Sequence, residues 1–232
     1  MKLSIIIPCY NEIKTIEKIV DKINNLKNLN KEIIIIDDFS IDGTRELLIN
    51  KLKKKIDKLI LNNKNYGKGY CIIQAKKIIS GDIVIIQDAD LEYDPFDYYK
   101  LIDPIIRKDT KVVYGSRVLG KQRYSSKKFT SLSRIFFNHA LTILSNILNS
   151  QNLTDAHTCY KIINRELFDK IKLEEHTFSF CPEVTTKISK LGEKIIEIPI
   201  SYYGREYDEG KKIKTIDGFI AIKALFKYRF FC

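Results

Sequence analysis

"GDIVIIQDADLEYDP", Gly81 to Pro95, decides the fold: a run of strand-forming residues ends abruptly in four acidic side chains, Asp88, Asp90, Glu92 and Asp94. Working outward, Leu3 to Ile7, Ile33 to Ile36, Lys58 to Leu61 and Val112 to Tyr114 are similar short runs, each followed by a longer amphipathic segment. Strands alternating with helices predict a mostly parallel α/β sheet. The unbroken Ile33 to Ile36 suits a strand buried on both faces. Ile13, Ile16, Ile19, Val20 and Ile23 recur at helical spacing, as do Leu47, Leu48 and Leu52 behind a cap at Asp42. After Ser116 come a basic loop, Arg117 to Lys128, a helix from about Thr130 to Asn149, and an apolar run from Tyr160 to Ile163. A helix opening at Pro182 and ending near Gly192, then a strand from Ile195 to Ile200, complete the pattern.

The chain has 232 residues, enough for one domain with a sizeable core, and 44% hydrophobic with 30% charged residues is the composition of a folded protein. The five cysteines are scattered without a C-x-x-C pair, so they read as reduced thiols and not as a disulfide framework or zinc site. Leu132 to Leu148 is interrupted by Arg134, Asn138, His139 and Asn146, which excludes a membrane span of roughly 18 unbroken apolar residues. The five-residue apolar run near the N-terminus is too short for a signal-peptide core, and the expected location is cytoplasmic. A net charge of +11 suits a polyanionic partner, and it equally suits a solvated basic surface. No nucleic-acid-binding motif occurs.

In open α/β sheets ligands bind beyond the carboxyl ends of the strands. The first two turns there, "PCYNE" (Pro8 to Glu12) and "DDFSIDGT" (Asp37 to Thr44), lack the glycines of a dinucleotide-binding turn, and no phosphate-binding G-x-x-x-x-G-K-[ST] loop occurs. This excludes a nicotinamide oxidoreductase and a P-loop ATPase. Asp94 before Pro95 reads as a helix cap. Asp88 and Asp90, two residues apart on a turn, can converge on a hard cation that also takes diphosphate oxygens. Glu12, Asp38 and Asp42 suit the donor edge of a base and ribose hydroxyls.

Five motifs, "SIIIPCYNE", "IIIIDDFSIDGT", "NYGKGYCIIQA", "GDIVIIQDADLEYDP" and "VVYGSR", followed by "TDAHTCYKIINRE" and "EIPISYYGREYDEGKKIKTIDGFIAI", resemble in order and spacing the family 2 glycosyltransferases. The similarity is to the branch of dolichol-phosphate mannose synthase and bacterial polyprenyl-phosphate sugar synthases, and covers nearly the whole chain. It implies a GT-A fold over residues 1–200, with a basic tail and amphipathic helix over 201–232. It also implies inverting transfer of one sugar from a GDP- or UDP-sugar to a polyprenyl or dolichyl phosphate. By position, Pro8, Tyr10, Glu12 and Asp38 match residues holding base and ribose, and Lys68, Lys211 and Lys212 join Asp88 in the nucleotide-sugar site. Asp88, Asp90 and Glu92 match the ligands of Mg²⁺ or Mn²⁺, with glutamate where the branch often has glutamine. Asp90, Arg117, Asp155 and Arg205 are the candidate catalytic residues. The two arginines have the planar fork that binds phosphate oxygens in a fixed orientation.

A lipid phosphate is already an anion and needs no general base, whereas a glycan hydroxyl as acceptor would need one, and Asp155 or His157 would serve. The blander readings are a turn cap for Asp155 and a packed histidine for His157. Where the lipid-phosphate synthases tend to have Gly-Phe, this chain has Cys159 and Tyr160. An alternative of another class is a non-catalytic basic module that binds membrane or polyanion. Ile216, Phe219, Ile220, Ile222, Leu225 and Phe226 fall mostly on one helical face edged by Lys223, Lys227 and Arg229, so the C-terminal helix either lies on an anionic membrane, making the protein peripheral, or packs on the domain or a second subunit.

Overall fold

The structure, a computed structural model, describes residues 1–119, 132–205 and 215–231. Its first half is four parallel strands alternating with helices: β1 (Leu3–Cys9), α1 (Ile16–Asn24), β2 (Lys31–Asp37), α2 (Thr44–Leu47), β3 (Lys58–Leu61), α3 (Lys68–Lys76) and β4 (Ile83–Ile86). The remainder is α4 (Tyr98–Ile106), β5 (Val112–Ser116), α5 (Leu132–Asn149), β6 (Lys161–Asn164), α6 (Arg165–Lys170), α7 (Phe180–Lys190), β7 (Ile196–Pro199) and α8 (Thr215–Phe230).

Seven strands form one sheet in the order β3-β2-β1-β4-β6-β5-β7. Burial explains the composition of its centre, since Ile5 to Ile7, Ile33 to Ile36 and Ile83 to Ile86 are all buried under helices on both faces. The chain moves outward from β1 through β2 to β3 and then returns to place β4 on the other side of β1. That reversal opens a crevice at the carboxyl ends of β1 and β4, where the acidic turns emerge.

Four strand pairings among the described residues are parallel, and the two made by β6, with β4 and β5, are antiparallel. The helix expected to begin at Pro182 begins at Phe180, because proline needs no backbone donor anywhere in a helix's first turn. Asp94 does cap the turn at Pro95, accepting from the Phe96 amide. Cys9, Cys71, Cys159 and Cys181 are free and buried.

Two helices turn large apolar side chains outward. α8 packs on α7 and α5 through Ala221, Ala224, Leu225 and Tyr228, while Ile216, Phe219, Phe226 and Phe230 face outward. The single apolar face read from the sequence is thus split, with Leu225 inside, Ile222 half-buried and Ile216, Phe219, Ile220 and Phe226 outside. α5 is turned inside out: Thr142 and Ser145 are 1% exposed, whereas Phe136 and Ile147 are 72% exposed. No helix among the described residues is long and apolar enough to cross a membrane.

Candidate active site

The first two strand-end turns are laced together. Asn11 donates its amide to Ser40 Oγ and accepts from the Ile41 amide, while the Glu12 amide donates to Thr44 Oγ1. Asp42 accepts from the amides of Ile13 and Thr44, so this carboxylate holds the two turns together. Asn11, Phe39 and Leu91, one in each acidic turn, have positive φ. Left-handed backbone at bulky residues costs on the order of 1–3 kcal/mol each and persists where the surroundings impose it.

Asp38 is buried and accepts from Asn62 Nδ2 and from the amides of Tyr66 and Gly67. It thereby fixes the loop that delivers Lys68. Gly67, with φ 99°, is required there, because a Cβ would lie 2.5 Å from the carbonyl oxygen of His176. The Lys68 ammonium reaches Asp88 Oδ1 at 2.5 Å and Cys159 Sγ at 3.1 Å. Burial works against the charge on Lys68, but the Asp88 carboxylate outweighs it and holds the ammonium protonated.

Beneath the acidic turn lies a buried polar layer. Gln87 accepts from the hydroxyls of Tyr98 and Tyr160, and its amide donates to the Asp88 carbonyl. Asp90 is pushed up to about 7 by burial and by the negative charges of Asp88 and Glu92, with Arg205 opposing. Arg205 forks onto Glu12 at 3.0 and 3.1 Å and also reaches Asp90 Oδ2 at 3.0 Å. Residues 193 positions apart in the chain are therefore joined at the mouth of the crevice.

Arg117 forms a second buried pair, donating to Asp155 Oδ2 at 2.6 Å and Oδ1 at 2.7 Å, with its amide adding a third bond. Asn138 donates to Asp155 as well, so both carboxylate oxygens are occupied. Burial alone would raise the Asp155 pKa, but Arg117 holds it down to about 2. Such a carboxylate is a weak proton acceptor. Burial and the Lys161 ammonium lower the neighbouring His157 to about 4, leaving a neutral ring whose Nε2 is buried without a hydrogen-bond partner.

The structure thus gathers Glu12, Asp38, Lys68, Asp88, Asp90, Arg117, Asp155 and Arg205 around the carboxyl ends of the strands, with Pro8 and Tyr10 half-buried beside them. Glu92 behaves differently: its two oxygens accept from Tyr202 Oη and from the Arg205 amide. Among the described residues no group of three or more histidine, cysteine or acidic side chains is arranged to hold a metal ion. Lys211 and Lys212 lie outside the described residues. Sequence reasoning missed Tyr202, whose ring lies 5.2 Å from the Arg117 guanidinium and whose hydroxyl meets Glu92. A tyrosine pair beside a glycine and an arginine was the only local signal.

Residues 4–172 match the model of glycosyl transferase family 2, about three quarters of the chain. The chain belongs to that family. This glycosyltransferase is 31% identical to the dolichyl-phosphate beta-glucosyltransferase of Trichomonas vaginalis, over 94% of this chain and 69% of the relative. It is 29% identical to the dolichol-phosphate mannosyltransferase of Pyrococcus furiosus, over 93% of this chain but only 61% of that one. Glucosyl-3-phosphoglycerate synthase from Mycobacterium tuberculosis, solved with Mn²⁺ and uridine diphosphate, matches in fold with a TM-score of 0.71 at 19% identity. That alignment covers 98% of this chain and 79% of the synthase, and it identifies the architecture as GT-A.

The donor set fits a divalent metal. Asp88 and Asp90 are hard oxygen donors, each within reach of a side-chain cation, Lys68 or Arg205. Mg²⁺ is commonly held by only one or two carboxylates together with substrate phosphates.

Proposed function

We propose that this glycosyltransferase moves one sugar from a nucleoside diphosphate sugar to a polyprenyl phosphate, with inversion at the anomeric carbon. The observation that carries the reading is that Lys68 and Arg205 pair with Asp88 and Asp90 while Arg117, held by Asp155, lies over the Tyr202 ring on the segment that leads to Arg205, in a chain whose relatives are named for dolichyl phosphate acceptors. A phosphate oxygen of the acceptor attacks the anomeric carbon as the bond to the donor diphosphate breaks, and the electron pair leaves with the diphosphate. Mg²⁺ or Mn²⁺ held by Asp88 and Asp90 would supply neutralisation of that leaving charge. Arg205 beside Asp90 places a guanidinium where the same charge develops, and Lys68 adds a second cation. Arg117 orients the acceptor anion, and Asp155 fixes Arg117 in place. No side chain removes a proton, consistent with the saturated, weakly basic Asp155.

The helices support a lipid substrate. α5 and α8 pack together, and both turn large apolar side chains to the outside. A basic protein with such a face suits the surface of an anionic membrane, which is where a polyprenyl phosphate resides. Phe136, Phe219 and Phe230 are exposed, so replacing all three by serine is expected to leave the fold intact. Loss of roughly 1.5 kcal/mol per buried phenylalanine predicts at least about tenfold weaker sedimentation with anionic vesicles for each one removed. Unchanged sedimentation of the triple variant would exclude this face as the docking surface.

Donor use is tested by melting the protein with UDP- and GDP-sugars in Mn²⁺ or EDTA. A metal-dependent rise selective for one nucleotide is expected, because a ligand of the folded state raises the melting temperature. No rise with any donor would contradict the donor site.

A further inference from the structure

Resting on the reading of Arg117 and Arg205 as phosphate-binding groups, we infer that Glu92 is a positioning residue that anchors the Tyr202–Arg205 segment, and not a ligand of the metal. The anchor is built from both ends of the carboxylate. Oε1 accepts the Arg205 amide at 2.7 Å and Oε2 accepts the Tyr202 hydroxyl at 2.9 Å. The Glu92 carbonyl accepts the Tyr203 amide at 2.9 Å, and Tyr93 pairs with Tyr202 in an isolated β-bridge. One turn further on, Asp97 Oδ2 accepts the Ser201 amide at 2.7 Å. The strap is therefore tied across the acidic turn along its length, and Glu92 itself is only 8% exposed.

This arrangement couples the two arginines. The Tyr202 ring lies under the Arg117 guanidinium while its hydroxyl is held by Glu92. Arg205, three residues later, has its amide on the same carboxylate and its guanidinium on Glu12 and Asp90. One buried carboxylate thus sets the position of the cation that faces the donor site and of the aromatic surface on which the other cation rests. Glutamate serves this purpose through two anionic acceptor atoms. A glutamine offers one acceptor and a weaker, neutral bond.

The test separates anchoring from metal ligation. In Glu92→Ala, hydrogen exchange of the 201–205 peptide should accelerate at least tenfold, while Mn²⁺ affinity, measured by electron paramagnetic resonance with the metal alone, stays within about twofold. Tyr202→Phe, which keeps the ring and removes only the hydroxyl, should accelerate the same peptide. The double variant should be no worse than Glu92→Ala, since both remove one anchor. Displacing a positioned cation by about 1 Å can cost on the order of 100-fold, so turnover should fall by up to that factor in Glu92→Ala and recover in part in Glu92→Gln. Mn²⁺ binding weakened tenfold or more in Glu92→Ala, or exchange no faster than in the parent in both variants, overturns the anchoring role. Neither exchange nor Mn²⁺ binding depends on which sugar or acceptor is used, so failure of the lipid-phosphate reading would leave both readouts intact.

Discussion

Asp90→Asn is expected to lower kcat/KM for sugar transfer by about 10³ or more, and at pH 8 the metal-free variant should melt above the parent. The first effect follows from the several kcal/mol that a bound divalent ion contributes to stabilising the leaving diphosphate. The second follows from charge crowding. Burial together with Asp88 and Glu92 raises the Asp90 carboxyl to about 7 from an ordinary 3.8. A raised carboxylate pKa means that the folded state binds the proton more tightly than the unfolded state. The associated stability is present below about pH 4 and is lost as pH rises toward 7. Asparagine resembles the protonated form and keeps its hydrogen-bond acceptor for Arg205, so the variant should escape that loss. A gain of about 1 kcal/mol would appear as roughly 2–4 °C in a chain of this size. The advantage should shrink at pH 5, and Mn²⁺ should stabilise the parent more than the variant, as differential melting will show.

Asp155→Ala is expected to destabilise the fold by about 3–5 kcal/mol, because it leaves the buried Arg117 guanidinium without its carboxylate. The corresponding drop in melting temperature is on the order of 10 °C. Turnover should fall with it, since Arg117 loses both its fixed orientation and the partner that holds it against the Tyr202 ring. Asp155→Asn retains one acceptor and should show a smaller loss of both properties. A general base would behave otherwise, with transfer lost by about 10²–10⁴ while the melting temperature stayed unchanged. Denaturation curves and turnover measured on the same two variants separate these roles.

The parts of the site that were legible from sequence are those in which neighbouring residues do the work. A strand followed by a turn places Asp88 and Asp90 beyond the sheet whatever the rest of the chain does, and Asp94 caps its turn through a bond to an amide two residues away. The central isoleucine runs likewise announce strands covered on both faces. What was hidden depends on distant partners. Glu92 meets Tyr202 across 110 residues, a contact that nothing in the local sequence announces. The antiparallel direction of β6 is set by its neighbours β4 and β5, since a strand as short as Lys-Ile-Ile-Asn pairs equally well either way. For α5 the sequence announces a helix, but it does not say which face is buried. The saturation of Asp155 by Arg117 and Asn138 could likewise emerge only from three-dimensional contacts.

Transfer to a lipid phosphate is tested most directly by incubating the purified protein with a labelled nucleoside diphosphate sugar panel, Mn²⁺ or EDTA, and either polyprenyl phosphate or the corresponding unphosphorylated polyprenol. Label should enter the organic phase with polyprenyl phosphate alone, and EDTA should abolish it. Equal labelling of the polyprenol, or label passing only to a glycan hydroxyl, would contradict a phosphate acceptor, and EDTA-resistant transfer would contradict the metal at Asp88 and Asp90.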